Sequence, residues 1–212
     1  DYWATAEVTE RLKRELACKD EFELYEKLNI DRPYFLTAPR TVEHHPQDDQ
    51  ADIWGIRFED VDYGTGSYKE AVSHPLADVS TVDEIHGYPW PDPEDHDFDE
   101  AARRAADIPE DRIVFCGQYE PFLLYCWMRG MEQAMMDLLT APDIAEAALK
   151  YIFDYYYRLN ERLFEIGGDR IDVTIVAEDL GAQGGLLMGL PQIRRFILPN
   201  QKRMADLGRR HG

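Results

Sequence analysis

Two apolar runs, "IVFCGQYE" at 113–120 and "IDVTIVAED" at 171–179, each end in acidic residues, and the chain between them carries its apolar residues at helical spacing. This order constrains the fold more than any other feature of the sequence. Buried strands separated by long helices cannot be joined by a tight hairpin, so they are expected to run parallel, with the helices crossing over outside the sheet. In "PFLLYCWMRGMEQAMMDLLT" the helical spacing runs through Leu123, Trp127, Met131, Met135 and Leu138, with Gly130 interrupting the propensity. "PDIAEAALKYIFDYYYRLNERLFEIGG" is the clearest helix, with a stripe through Ile144, Ala148, Tyr151, Ile152, Tyr155, Leu159, Leu163 and Ile166; Thr140 and Pro142 open it and Gly167 ends it. A last helix is expected from about Pro191 to Leu207, bent at Pro199. The sequence of strand, two helices, strand and helix predicts an α/β fold with a parallel sheet, either an open layer or a closed (β/α)8 barrel. Only three or four candidate strands can be counted against the eight of a closed barrel, so residues 1–212 are expected to form one domain covering about the N-terminal half to two-thirds of it.

The first half of the chain is less regular. Residues 5–28 predict one or two amphipathic helices packed on a core through Val8, Leu12, Leu16, Phe22, Leu24, Tyr25 and Leu28, with Thr5 as a cap. "PYFLTAPRTVE" (33–43) predicts a short strand, "HHPQDDQAD" a polar loop, and residues 53–72 a β-hairpin around "YGTGS". Ser80 or Thr81 caps a short helical turn, the Pro and Asp cluster at 89–97 makes an exposed connection, and a helix is expected near 98–106. His44 and His45 lie close in sequence to Asp48, Asp49 and Asp52, a set that reads as a solvated acidic loop because nothing in it fixes a tetrahedral metal geometry.

A formal net charge of −19 opposes binding to phosphate backbones or anionic lipid, so neither nucleic acid nor membrane is an expected partner. Three cysteines, Cys18, Cys116 and Cys126, without close pairing fit a reducing cytoplasm and structural thiols. No apolar run approaches the ~18 residues of a spanning helix, and the start lacks the basic and apolar pattern of a signal peptide.

The candidate chemistry sits at the ends of the two strand runs, where enzymes on parallel α/β folds gather function. Glu120, Glu178 and Asp179 are the candidate catalytic carboxylates. Side chains of adjacent strand residues point to opposite faces, so at most one of Glu178 and Asp179 is expected to face the barrel mouth while the other caps the next helix or meets solvent. Two carboxylates converging with little water would raise one pKa and make a usable acid. Tyr119, Trp127, Arg129 and Gln183 are the candidates for binding a small-molecule substrate. Gln183 either donates to a substrate oxygen or closes its turn, Arg129 pairs with a carboxylate of the protein or of the ligand, and Trp127 is otherwise a core residue.

"DIWGIRF", "HPLAD", "YPWPDP", the segment from "GQYEPFLLYCW" to "MMDLL", and "AEDLGAQGGLLMGLPQIRRFILPNQKRMADLGRRHG" together resemble the uroporphyrinogen decarboxylase superfamily. They look most like its divergent branch related to corrinoid-dependent methyltransferases. The resemblance extends over nearly the whole chain and implies a (β/α)8 barrel lacking here a short N-terminal piece and the C-terminal strands. Two motifs of the decarboxylases are replaced: "ATAEVTER" stands for the arginine-rich stretch that binds substrate carboxylates, and "FLTAPR" for the "FSDIL"-like motif whose aspartate grips pyrrole nitrogens. The resemblance therefore implies methyl transfer with a corrinoid on a partner protein before porphyrinogen decarboxylation. In the methyltransferases zinc is held by a His-x-Cys pair and a later Cys, and those ligands would lie beyond Gly212, so none is expected among these residues. A third expectation is a non-catalytic half-barrel. Its open strand edges and apolar interior would make it a homo-oligomer or require completion by another segment.

Overall fold

The computed structural model describes Tyr2 and residues 4–212. The chain starts with two helices, α1 (Ala6–Glu15) and α2 (Glu21–Leu28), the second begun by Asp20, whose carboxylate accepts Glu23 N–H at 2.9 Å. The expected packing on a core holds for α2, through Leu24 and Tyr25. It fails for α1 and the start of α2, where Val8, Leu16 and Phe22 stay exposed.

A two-residue strand, β1 (Tyr34–Phe35), follows. The expected hairpin over 53–72 is shorter than its apolar pattern: β2 (Phe58–Asp62) pairs antiparallel with β3 (Ser67–Ala71), while residues 53–56 form a buried turn. Asp52 is the reason. Its carboxylate accepts the N–H groups of Trp54 and Ile56, each at 2.9 Å, and Gly55 turns the chain at φ +81°. Two backbone donors are thereby withdrawn from any strand ladder. α3 (Val82–Gly87) opens with a capping box, Glu84 N–H to Thr81 Oγ1 at 3.3 Å and Thr81 N–H to Glu84 Oε2 at 2.9 Å. α4 (Phe98–Asp107) comes after the Pro and Asp connection.

The second half follows the expected order. It comprises β4 (Val114–Tyr119), α5 (Pro121–Arg129), α6 (Met131–Thr140), the long α7 (Pro142–Gly167) and β5 (Val173–Ala177). Gly130, at φ +84°, divides what reads in sequence as one helical stretch into α5 and α6. After β5 a minimal hairpin pairs β6 (Gly181–Ala182) with β7 (Gly185–Leu186). The last helical run is α8 (Leu190–Gln192), a π-helical turn (Ile193–Ile197) and α9 (Leu198–His211). The expected bend at Pro199 is thus taken up by a π turn just before it, and Pro199, which has no N–H to donate, sits in the first turn of α9.

The fold is mixed α/β with a three-stranded parallel sheet in the order β1-β4-β5. The β4–β5 ladder is close: a Cβ on Gly117 would lie 2.1 Å from the Ile175 carbonyl oxygen, and its φ is +137°, so only glycine fits. One face of the sheet is covered. Val114 and Cys116 pack there with Ala101 and Ala105 of α4, Leu163 and Phe164 of α7, and Met204 and Leu207 of α9. Alternation turns Phe35, Phe115, Val173 and Ile175 to the other face, where Phe35 is 48% and Val173 38% exposed. A second core, containing Trp54, Phe122, Tyr125, Met128, Ile152 and Phe196, joins the 53–56 turn to α5, α6 and the first part of α7. It holds the N-terminus of α5 against the ends of the strands.

Candidate functional site

β4 and β5 end side by side. Glu120 N–H donates to the Ala177 carbonyl at 2.9 Å, carrying the pairing one residue past β4 and bringing Glu120 and Glu178 to one edge of the sheet. Glu120 leaves the strand in the left-handed region, φ +50° and ψ +46°, and Pro121 then begins α5 directly. Glu178 shares a strand face with Thr174 and Val176 and so turns toward the helices. Both its carboxyl oxygens lie 3.1 Å from Phe122 N–H. A carboxyl from β5 therefore serves the open N-terminus of α5, whose first N–H groups have no partner within the helix.

Glu178 is half-buried, and among the described residues no cation answers its charge. Burial, with a smaller contribution from the neighbouring Glu120 charge, pushes its carboxyl up to about 8; the Phe122 hydrogen bond acts in the opposite sense but does not prevail. At neutral pH this carboxyl holds a proton. Cys126, buried nearby, has its thiol pushed up to about 12 by burial first and by Glu178 second, so it is not a thiolate nucleophile. The Tyr156 hydroxyl is also raised, again chiefly by burial, with Glu178 among the charges it senses. Gln118 on β4 is buried, and its Oε1 has no hydrogen-bond partner among the described residues.

The other candidates are distributed around this edge. Asp179 is exposed and accepts Gly181 N–H at 3.2 Å, starting the turn into the β6–β7 hairpin. Gln183 is exposed at the tip of that hairpin. Glu178 therefore serves the N-terminus of α5, the helix after β4 and not the helix that follows its own strand, and Asp179 meets solvent. Trp127 and Arg129 lie at the far end of α5. Trp127 is 37% exposed and sits edge-on to Phe58 at 5.6 Å. Arg129 is buried, with Nε on Asp137 Oδ2 at 2.7 Å and Nη1 on the carbonyls of Leu76, Ala77 and Val79, so its guanidinium is engaged inside the protein. Tyr119 ends β4, and its side chain lies outside the described residues.

The histidine and aspartate loop is not simply solvated. His45 is 6% exposed and stacks on Tyr88 at 5.3 Å, while Asp48 pairs with Arg57 at 2.7 Å and His44 Nδ1 meets the Ala51 carbonyl at 3.1 Å. His45 is the buried member; residues 44, 46, 47, 49 and 50 are exposed, as expected of a solvated loop. Among the described residues no three His, Cys, Asp or Glu side chains form a group that could hold a metal, so these residues do not fit a zinc site. Among them, too, no helix is long and apolar enough to cross a membrane.

No known protein family matches the sequence, and no curated protein does. Among solved structures, a methyltransferase from Methanosarcina mazei is similar over 70% of this chain and 43% of its own length, with 18% identity and a TM-score of 0.46. The present chain therefore spans less than half of that protein.

Sequence reasoning missed Gln118, Cys126 and Tyr156 as neighbours of the carboxyl pair. Gln118 had a signal, a polar residue inside a buried strand run; Cys126 and Tyr156 look like ordinary members of helical stripes.

Proposed function

We propose that this chain forms part of a (β/α)8 barrel enzyme of the uroporphyrinogen decarboxylase superfamily, in its methyltransferase branch, and that Glu178 is the acid–base group at the strand edge. The observation that carries the reading is the Glu178 carboxyl, held to about 8 by burial beside Glu120 where two parallel strands end. Methyl transfer to a thiol releases the thiol proton as the S–CH3 bond forms, and a free thiol has a pKa near 8.5. A carboxyl near 8 is matched to that proton, which is the condition for efficient general base catalysis. Neither buried cysteine is suited to be the acceptor, because Cys116 and Cys126 are both pushed up to about 12. The acceptor would then be a separate thiol, and the donor a methylated corrinoid brought by a partner protein, which would keep the electron pair of the broken cobalt–carbon bond. No step is assigned to zinc. Porphyrinogen decarboxylation is less favoured because the cationic and pyrrole-binding motifs are replaced.

The test mixes the protein with methylcobalamin and 2-mercaptoethanol and follows demethylation of the cobalamin by absorbance. Demethylation is expected to rise as pH passes about 8 and Glu178 ionises, and Glu178→Gln should lower it by about a hundredfold. No turnover at any pH, or full turnover by the variant, would sink the reading.

A half-barrel awaiting another chain is the second reading, favoured by the uncovered apolar sheet face at Phe35 and Val173. Light scattering decides it, since a monomer of 24.6 kDa in solution counts against it.

A further inference from the structure

A cavity of about 270 Å3 lies beneath the connection 89–97, and neither Glu120 nor Glu178 lines it. Val42, Ile53 and Trp90 form apolar walls, while Arg40, Asp92 and Asp95 bring charge to it. The Trp90 wall is held in place: its Nε1–H donates to the Ile85 carbonyl at 2.8 Å, and its ring stacks on Tyr151 at 4.8 Å and 2°. A binding surface fixed in this way loses little entropy when a ligand arrives.

Arg40 pairs through its backbone with His96, which belongs to a chain of hydrogen bonds. His96 Nδ1 lies 2.8 Å from the Ala38 carbonyl, which can only accept, so Nδ1 carries the proton. Burial lowers the His96 pKa and keeps the ring neutral, leaving Nε2 as an acceptor for the Tyr155 hydroxyl at 2.7 Å. Tyr155 donates to His96, lines the same cavity as Arg40, and feels the Arg40 charge. Arg40 forms no salt bridge among the described residues, although the chain has 42 acidic against 23 basic side chains. Asp92 is shared with Arg158 at 3.5 Å, and Asp95 forms no salt bridge among the described residues. The cavity therefore brings a group that can receive a carboxylate, groups that can receive an ammonium and apolar walls to one lining. A ligand with net negative charge would meet the field of a −19 protein, whereas a zwitterion would not.

We propose that this cavity binds a small zwitterion of the amino-acid type, its carboxylate on Arg40, its ammonium toward Asp92 and Asp95, and its apolar part against Trp90 and Ile53. This site goes beyond the methyl-transfer reading and stands whether or not Glu178 performs chemistry.

Calorimetric titration of the chain with L-phenylalanine and L-valine, and with 3-phenylpropanoate and 2-phenylethylamine as the two half-molecules, tests it. At least one zwitterion is expected to bind saturably, and L-phenylalanine about tenfold or more tighter than either half-molecule. Arg40→Gln should weaken L-phenylalanine about tenfold and remove its advantage over the amine; Asp95→Asn should remove its advantage over 3-phenylpropanoate. Both residues are exposed, so the variants are expected to keep the wild-type fold, with circular dichroism as the check. No saturable binding of either zwitterion, equal binding of 3-phenylpropanoate, or unchanged affinity in Arg40→Gln would each overturn the proposal.

Discussion

Asp137 and Glu178 are both carboxylic acids withdrawn from water, each bonded to α5, and they end in opposite chemical situations. Asp137, fully buried, accepts from Tyr125 at 2.9 Å, from Arg129 at 2.7 Å and from Gln133 at 2.7 Å. A cation and two neutral donors satisfy it, and through Arg129 it ties α5 and α6 to the carbonyls of residues 76–79. Among the described residues Glu178 has one backbone N–H, no cation and a second carboxylate for a neighbour. Burial alone does not decide what an acid does. The partners decide it: a complete set makes the acid part of the scaffold, and an incomplete set leaves it holding a proton it can exchange.

Breaking the complete set should have the largest effect. Asp137→Ala leaves the Arg129 guanidinium buried without its partner, and stability is expected to fall by about 3–5 kcal/mol, the usual cost of removing half of a buried ion pair. Urea unfolding measures it, and a loss typical of a surface residue would show that the two acids are not as different as their partners indicate.

Glu178→Gln should have a smaller effect that depends on pH. The folded pKa of Glu178 is raised, so the native state binds the proton more tightly between its ordinary value of 4.5 and about 8. Its contribution to stability is therefore intact below pH 4.5 and is lost as pH rises to about 8. The amide cannot ionise and keeps its bond from Phe122. The variant should match the wild type at pH 4.5 and exceed it at pH 9 by roughly 2 kcal/mol, taking about 1.4 kcal/mol per unit and discounting for partial exposure. Denaturation series at several pH values check this, and a difference independent of pH would mean that Glu178 is an ordinary ionised cap.

Glu120→Gln should have the smallest effect. The Glu120 charge is a minor cause of the Glu178 shift, after burial. Its removal should move the Glu178 midpoint down by a fraction of a unit, visible in carboxyl carbon NMR. A large downward move would put charge repulsion ahead of burial as the source of the difference.

Most of the second half was legible in the sequence because its signals are local. Helical spacing marks α7 over Pro142–Gly167, and the runs at 113–120 and 171–179 become β4 and β5. The first half was less so. At residues 53–56 alternating apolar residues resemble a strand, yet the Asp52 carboxylate takes two of their backbone donors and makes a turn. For Arg129 the sequence left open a carboxylate of the protein or of a ligand, because nothing near it in sequence shows that Asp137 and the carbonyls of residues 76–79 close around it.

By itself the sequence determined that two strands would run parallel between helices and that each would deliver carboxylates at its end, since periodicity and strand length are properties of neighbouring residues. Tertiary structure alone decided that Glu178 turns to Phe122, 56 positions away, and that among the described residues Asp137 gains a cation while Glu178 does not. The physical reason is that solvation and charge balance depend on everything packed around a group, and those surroundings come from distant parts of the chain.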